Sequence, residues 1–123
     1  MILGVGVDLT PVERMAQAMA RHPERLEARL FTARERAYCA ARAHAAQHFA
    51  ARFAAKEAVL KALRVPHGLS WHELEVVSDE RGAPRLELTG EAARAMAAQG
   101  VRRLHLSLTH AGDQALAFVV AEG

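Results

Sequence analysis

Apolar and small residues alternate from the start of the chain. Leu3, Val5, Val7 and Leu9 alternate with Ile2, Gly4, Gly6 and Asp8, which predicts a strand over 2–9. The leucine and valine side reads as a core face. The other side carries two glycines and then a carboxylate. Glycine weakens a strand, so two on one face predict the close approach of another backbone or a ligand. Asp8 ends that face, where a strand delivers a side chain into a site. Thr10-Pro11-Val12-Glu13 follows as a capping box with proline at the first helical position, predicting a helix from about 11 to 20. His22-Pro23 ends or kinks it.

Thr32-Ala33-Arg34-Glu35 is a second capping box. Residues 33–64 contain neither proline nor glycine and are rich in alanine. They read as helix throughout, in two pieces broken near 43–47. In the second piece Phe49, Phe53, Leu60 and Leu63 form a stripe with Val59 at its margin. Glu57 sits at the edge of the stripe and Lys61 lies one turn further on. Val65-Pro66-His67-Gly68 stops the helix. Leu74–Ser78 and Pro84–Leu88 flank Asp79-Glu80-Arg81-Gly82, a hairpin signal. Thr89 is expected to cap a short helix over 90–99, closed by Gly100. Residues 103–109 alternate again, His110-Ala111-Gly112-Asp113 is expected to turn, and 115–121 is the last strand. The order β, three helices, hairpin, helix, hairpin predicts an α+β domain: a small antiparallel sheet packed on a long helix.

Composition narrows the class. The 123 residues suit one domain, 1–123, and 51% hydrophobic with 24% charged residues excludes disorder by low hydrophobicity. The single cysteine, Cys39, permits neither an internal disulfide framework nor a cysteine-based zinc site. No apolar run approaches the ~18 residues of a membrane span. Met1–Val5 lacks the basic start of a signal peptide, so a cytoplasmic protein is expected. Net charge is only +2, and the cations are 14 arginines against two lysines, Lys56 and Lys61. Most arginines in such a chain are solvated surface. Two lysines within one ten-residue stretch stand out.

Asp8 and Glu57 are the candidate pair. If the helix packs on the glycine face, the two carboxylates meet, and two carboxylates with substrate phosphates are a common way to hold Mg²⁺. The plain alternative is an exposed strand-end aspartate and a solvated Glu57–Lys61 helix pair. Spacing alone favours that alternative, since such pairs are commonplace. His44 and His48 have zinc-pair spacing without a third ligand. Cys39 reads as a packed thiol, and Trp71 as a core edge. Gly4-Val5-Gly6 lies inside a strand and lacks the third glycine of a dinucleotide fingerprint.

Gly4-Val5-Gly6-Val7-Asp8-Leu9, Arg52-Phe53-Ala54-Ala55-Lys56-Glu57-Ala58 with Lys61 following, and Ser107-Leu108-Thr109-His110 before a last strand occur in order along nearly the whole chain. Together with Phe31-Thr32, Glu35 and Tyr38-Cys39 they resemble the holo-[acyl-carrier-protein] synthases, the small phosphopantetheinyl transferases. The resemblance implies the compact, single-domain phosphopantetheinyl transferase fold. It implies transfer of 4′-phosphopantetheine from coenzyme A to a serine of an acyl carrier protein, in fatty acid or related biosynthesis. It makes Asp8 and Glu57 the Mg²⁺ ligands, Lys61 a phosphate contact, and Arg52, Gly68 and His110 neighbours of the coenzyme. Arg14, Arg21 and Arg25 fall where the family presents a basic helix to the acidic carrier. The compact members are homotrimers with sites between subunits. The chain departs from the family at Arg64-Val65-Pro66-His67-Gly68, where a Gly-Thr-Gly-like turn is usual, and at Pro11, where an acidic residue is often found.

Two other readings stand beside this one. The pI of about 9.2 admits a basic nucleic-acid-binding module, although no aromatic residues interleave with the first-helix arginines as a stacking surface requires. An inactive homologue that only binds coenzyme A or the carrier is the other.

Overall fold

The glycine face of the first strand lies directly on a helix. In the computed structural model, which describes residues 1–65 and 68–123, β1 (Ile2–Pro11) runs against α4 (Ala45–Leu63). A Cβ on Gly4 would run into the Ala62 carbonyl oxygen, and one on Gly6 into that of Ala58 and to 2.9 Å from the Ala62 nitrogen. These are backbone atoms and cannot swing aside. Glycine on the strand and alanine on the helix therefore let the two backbones pack closer than ordinary side chains allow.

The rest of the first sheet extends this contact. β5 (Gln114–Glu122) pairs antiparallel with β1 on one side and with β4 (Arg103–Ala111) on the other, giving the order β1-β5-β4. Ala115, Ala117, Val119 and Ala121 of β5 turn their buried side chains to the face that meets α4. The hairpin strands β2 (Leu74–Ser78) and β3 (Pro84–Leu88) have the predicted bounds but form a separate two-stranded sheet. A 3₁₀ turn (Trp71–Glu73) precedes β2, and α5 (Gly90–Ala98) follows β3.

Several expectations change. The side of β1 read as a core face is uncovered: Leu3, Val5, Val7 and Leu9 are 37%, 56%, 48% and 57% exposed, with Phe118 of β5 beside them. Glycine, not leucine, marks the inward side, because α4 needs the room. The stripe on α4 is buried as expected at Phe49, Val59 and Leu63 and gives way to the alanines elsewhere. Ala54, Ala55, Ala58, Ala62, Val59 and Leu63 are buried, while Phe53 and Leu60 are only half-buried.

Thr10 does not cap the first helix. It is a buried residue of β1 opposite Ala115, and α1 (Val12–Arg21) begins two residues later. Asp113, in the β4–β5 turn, does the capping: its carbonyl accepts from Val12 N at 2.9 Å and its Oδ1 from Glu13 N at 3.1 Å. A further short helix, α2 (Arg25–Leu30), follows α1. At six residues it carries too little pattern to be read from sequence. Thr32 and Glu35 do form the predicted capping box at the head of α3 (Ala33–Ala40). The break before α4 falls at 41–44, with His44 in the left-handed region at φ 59°. Thr89 makes no side-chain cap on α5. The Glu73 carboxylate accepts instead from Glu91 N and Ala92 N, both at 3.4 Å. His110, placed in a turn by the sequence, extends β4 opposite Ala115.

One of the two lysines belongs to the core. Lys56 is fully buried and donates to Glu35 Oε1 and to the Trp71 carbonyl, each at 2.8 Å. Glu35 also accepts from Thr32 N at 2.9 Å and from Val76 N at 2.8 Å. One buried ion pair thus ties α3, α4 and β2 together. Burial pulls the Lys56 ammonium below the usual lysine range, and Glu35 opposes the pull.

Gly6→Ala should lower stability by about 1–3 kcal/mol, the usual cost of an overpacked core. Urea unfolding monitored by circular dichroism measures it. An unchanged midpoint would mean that the strand and helix have room to part, contrary to this packing.

Candidate functional site

The β1–α4 contact also determines what stands at its edge. Asp8 follows Gly4 and Gly6 on the α4-facing side of β1. Glu57 and Lys61 each precede a contact alanine, Ala58 and Ala62, and so lie about 100° round the helix on one flank. Lys61 Nζ donates to Asp8 Oδ1 at 3.1 Å and to the Val7 carbonyl at 2.8 Å. Asp8 Oδ2 accepts from Thr10 Oγ1 at 3.2 Å. Asp8 is largely enclosed, with 17% of its side chain exposed against 54% for Lys61.

Glu57 completes the group. Its carboxyl is raised above the usual range, first by burial and then by the negative charge of Asp8, with Lys61 working the other way. Asp8 and Glu57 are thus close enough to feel each other's charge, and the one cation beside them is bound to Asp8 rather than to Glu57. Among the described residues no cluster of three or more His, Cys, Asp or Glu side chains can hold a metal alone. The donors at Asp8 and Glu57 are all oxygen. That set fits a hard divalent cation which draws its remaining ligands from water and a substrate phosphate. His44 and His48, the spacing-based zinc candidates, form no such cluster.

A second group lies on the other flank of α4. Arg52, from the same helix, and His110, at the end of β4, line a cleft of about 240 Å³ with Tyr38, His48, Ser78 and Thr109. Asp8, Glu57 and Lys61 are not among its lining residues. Within one chain the structure therefore gathers the predicted residues into two sets rather than one. Gly68 has a left-handed backbone, φ +98°, with open space where a Cβ would stand. Pro66 and His67 of the departing loop lie outside the described residues. Arg14 and Arg21 on α1 and Arg25 at the head of α2 are exposed, and none forms an ion pair among the described residues. Cys39 is buried, and burial pushes its thiol up to about 11, so it is a packed thiol. Trp71 packs on Phe53 with ring centroids 5.3 Å apart.

Sequence reasoning missed the parts of the site that only packing supplies. The capping motif claims Thr10 for a helix, and its contact with Asp8 depends on the strand continuing. Ser78 carries no local signal, and His48 only its spacing from His44, which points to a metal rather than to this cleft. Tyr38 had one only through the family-like segment around it.

Residues 4–119 match the model of the 4′-phosphopantetheinyl transferase superfamily. A holo-[acyl-carrier-protein] synthase of Desulforudis audaxviator is 51% identical over 124 residues, covering 100% of this chain and 95% of its own length. The crystal structure of holo-[acyl-carrier-protein] synthase from Neisseria meningitidis superposes with a TM-score of 0.89 at 30% identity, over 100% of both chains. The Helicobacter pylori synthase in complex with coenzyme A gives a TM-score of 0.84 at 27% identity, covering 96% of this chain and 99% of its own.

The raised carboxyl has a measurable consequence in the metal-free protein. Stability that Glu57 contributes is fully present below its unfolded value, about 4.3, and is lost as pH rises through the higher folded value. Glu57→Gln has no such ionisation. In EDTA the wild type should lose stability relative to Glu57→Gln as pH rises above about 4.3, by less than about 1 kcal/mol because the group is partly solvated. Urea midpoints across that range test it, and parallel pH profiles would show that Asp8 and burial do not strain Glu57.

Proposed function

This chain belongs to the 4′-phosphopantetheinyl transferase superfamily, and we propose that it transfers 4′-phosphopantetheine from coenzyme A to a serine of an apo acyl carrier protein. The serine oxygen forms a bond to phosphorus as the pyrophosphate bond breaks, the serine proton passes to solvent, and adenosine 3′,5′-bisphosphate leaves with the bridging oxygen. The observation that carries this reading is the convergence of Asp8, Glu57 and Lys61 at the edge of the β1–α4 contact.

Such a transfer asks for alignment and charge neutralisation rather than covalent help. Asp8 and Glu57 would hold Mg²⁺, which when bound offsets the charge of the pyrophosphate. Thr10 and Lys61 keep the Asp8 carboxylate oriented. Lys61 is half-exposed and acts as a compact point charge on a phosphate oxygen. Arg52, His110 and Gly68 contact the coenzyme. Arg14, Arg21 and Arg25 receive the acidic carrier protein on α1 and α2, a role supported by their exposure and lack of intrachain partners among the described residues.

The working unit is a homotrimer with active sites between subunits, each chain contributing one domain, 1–123. Two features support it. The acidic pair and the Arg52–His110 cleft lie on opposite flanks of α4, so a second copy can join them. The uncovered face of Leu3, Val5, Val7, Leu9 and Phe118 is an apolar surface for a second copy to bury. The place of action is the cytoplasm. Among the described residues no helix is long and apolar enough to cross a membrane.

Mass spectrometry of an apo carrier protein incubated with this protein, coenzyme A and Mg²⁺ should show the gain of one phosphopantetheine. Coenzyme binding without any mass gain would mark an inactive homologue. Lys61→Met should lower kcat by about 10²-fold or more, as removal of a preorganised charge does, with Lys61→Arg recovering part of the loss. Equal loss in both variants would point to a base rather than a charge. Arg14→Glu should raise the KM for carrier roughly tenfold, since one exposed attraction becomes a repulsion. An equal effect on coenzyme A would remove the carrier assignment.

A further inference from the structure

Among the described residues Arg52 is a buried cation without an anion. It is 3% exposed, and among the described residues its one hydrogen bond runs from Nη2 to Ser78 Oγ at 3.1 Å. Its Nε is buried with no partner, and none of the residues lining the adjoining cleft is acidic. Buried charges are ordinarily paired. A guanidinium with five donors and one neutral acceptor is short of a ligand's negative charge.

Something must hold this group in place meanwhile, and the contacts identify Tyr38. Its ring centroid lies 4.0 Å from Arg52 Cζ and 3.3 Å from Arg42 Cζ. Arg42 is anchored in turn by Nη1 donating to the Tyr38 carbonyl at 2.7 Å. His48 meets the ring edge-on, with centroids 6.0 Å apart and planes at 77°. One aromatic side chain on α3 thus gathers side chains that repel one another. The imidazole of His48 is pulled down by burial and then by Arg52, Arg42, His110 and His44. The Tyr38 hydroxyl falls below the ordinary tyrosine value chiefly through the neighbouring Ser78 hydroxyl, burial opposing, with help from Arg52 and Arg42. Ser78 and Tyr38 therefore brace Arg52 from β2 and α3.

We propose that Tyr38, with Ser78, is a positioning residue that presets the Arg52 guanidinium for a phosphate group of coenzyme A. The proposal rests on the reading of Arg52 as a coenzyme contact. Without the ring, Arg52 is a long side chain free to turn from the cleft. The entropy of fixing it then falls due on binding. The effect belongs to coenzyme affinity and not to the acidic pair on the other flank of α4.

Steady-state kinetics of the full chain with coenzyme A, Mg²⁺ and apo carrier protein test this. Tyr38→Leu should raise the KM for coenzyme A about tenfold, the scale of a desolvated cation–π contact, with kcat and the KM for carrier changed less than about twofold. Tyr38→Phe, which keeps the ring, should recover most of the loss. Ser78→Ala should raise the same KM several-fold, which keeps the test available if Tyr38→Leu does not fold. Arg52→Met should raise it at least as much as Tyr38→Leu, and the double variant should be no worse than Arg52→Met alone. Repeating the series with dephospho-coenzyme A tells which phosphate is read: penalties that vanish mark the 3′-phosphate, and penalties that persist mark the pyrophosphate. Penalties that multiply in the double variant would overturn the positioning role. So would an unchanged KM in Tyr38→Leu or Ser78→Ala while Arg52→Met is impaired. An unchanged KM in Arg52→Met would remove the coenzyme reading of Arg52, and the proposal with it.

Discussion

The packing of β1 on α4, backbone against backbone, is the constraint from which the rest of the structure follows. Two glycines on one strand face and alanines at 58 and 62 remove the side chains that normally keep a strand and a helix apart. The gain is positional. Where the glycines end, the next side chain on that face is Asp8, and the helix residues just ahead of each contact alanine are Glu57 and Lys61. A side chain at Gly6 would push the helix away and open the acidic pair. The same packing leaves Leu3, Val5, Val7 and Leu9 on the outer face of the sheet. A strand has two sides, and here the smaller residues take the inner one.

The two lysines of this arginine-rich chain illustrate how position divides one chemistry into two jobs. Lys56 and Lys61 are five apart on α4, so they point to different sides of the helix. Lys56 is enclosed and donates to Glu35 and to the Trp71 carbonyl. Lys61 stands at the surface against Asp8. A buried pair of this kind is a weak source of net stability, because desolvation consumes much of the attraction. Its evident role is geometric: Glu35 caps α3, accepts from β2 and holds α4, so it sets how these three elements meet.

The flanks of α4 carry opposite electrostatics. On the β1 side two carboxylates stand with one lysine, which is bound to Asp8, and on the other side Arg42, Arg52 and His48 gather at the Tyr38 ring with His110 lining the same cleft. Each set carries an excess of one charge, and the two excesses are of opposite sign. The acidic side calls for a cation, and the basic side for an anion. Where a second copy brings one flank against the other, the pyrophosphate with its cation and a further phosphate of one coenzyme would answer both, which is the physical sense in which the proposed site suits a phosphorylated nucleotide donor.

Much of this was legible without coordinates. The strand ending in Asp8, the long helix with Glu57 and Lys61, and both strands of the 74–88 hairpin follow from local periodicity. So does the capping box at Thr32, which needs only contacts within one turn. The two glycines even announced a close backbone approach. The order of three motifs along the chain also pointed to the family. What remained were choices between local options that only distant residues settle. Thr10 could cap a helix or continue a strand, and pairing with Ala115 decided for the strand while Asp113, about a hundred residues away, capped the helix. Whether leucine or glycine faced inward depended on how near α4 came. Lys61 could pair with Glu57 one turn back or with Asp8 on another element. Arg52, Tyr38 and Ser78 met because α3, α4 and β2 share one buried ion pair. Periodicity and capping act over a few residues, so the sequence determined the elements and the residue types on each face. Contacts between elements depend on the sum of all the packing, and that was decided only in the folded chain.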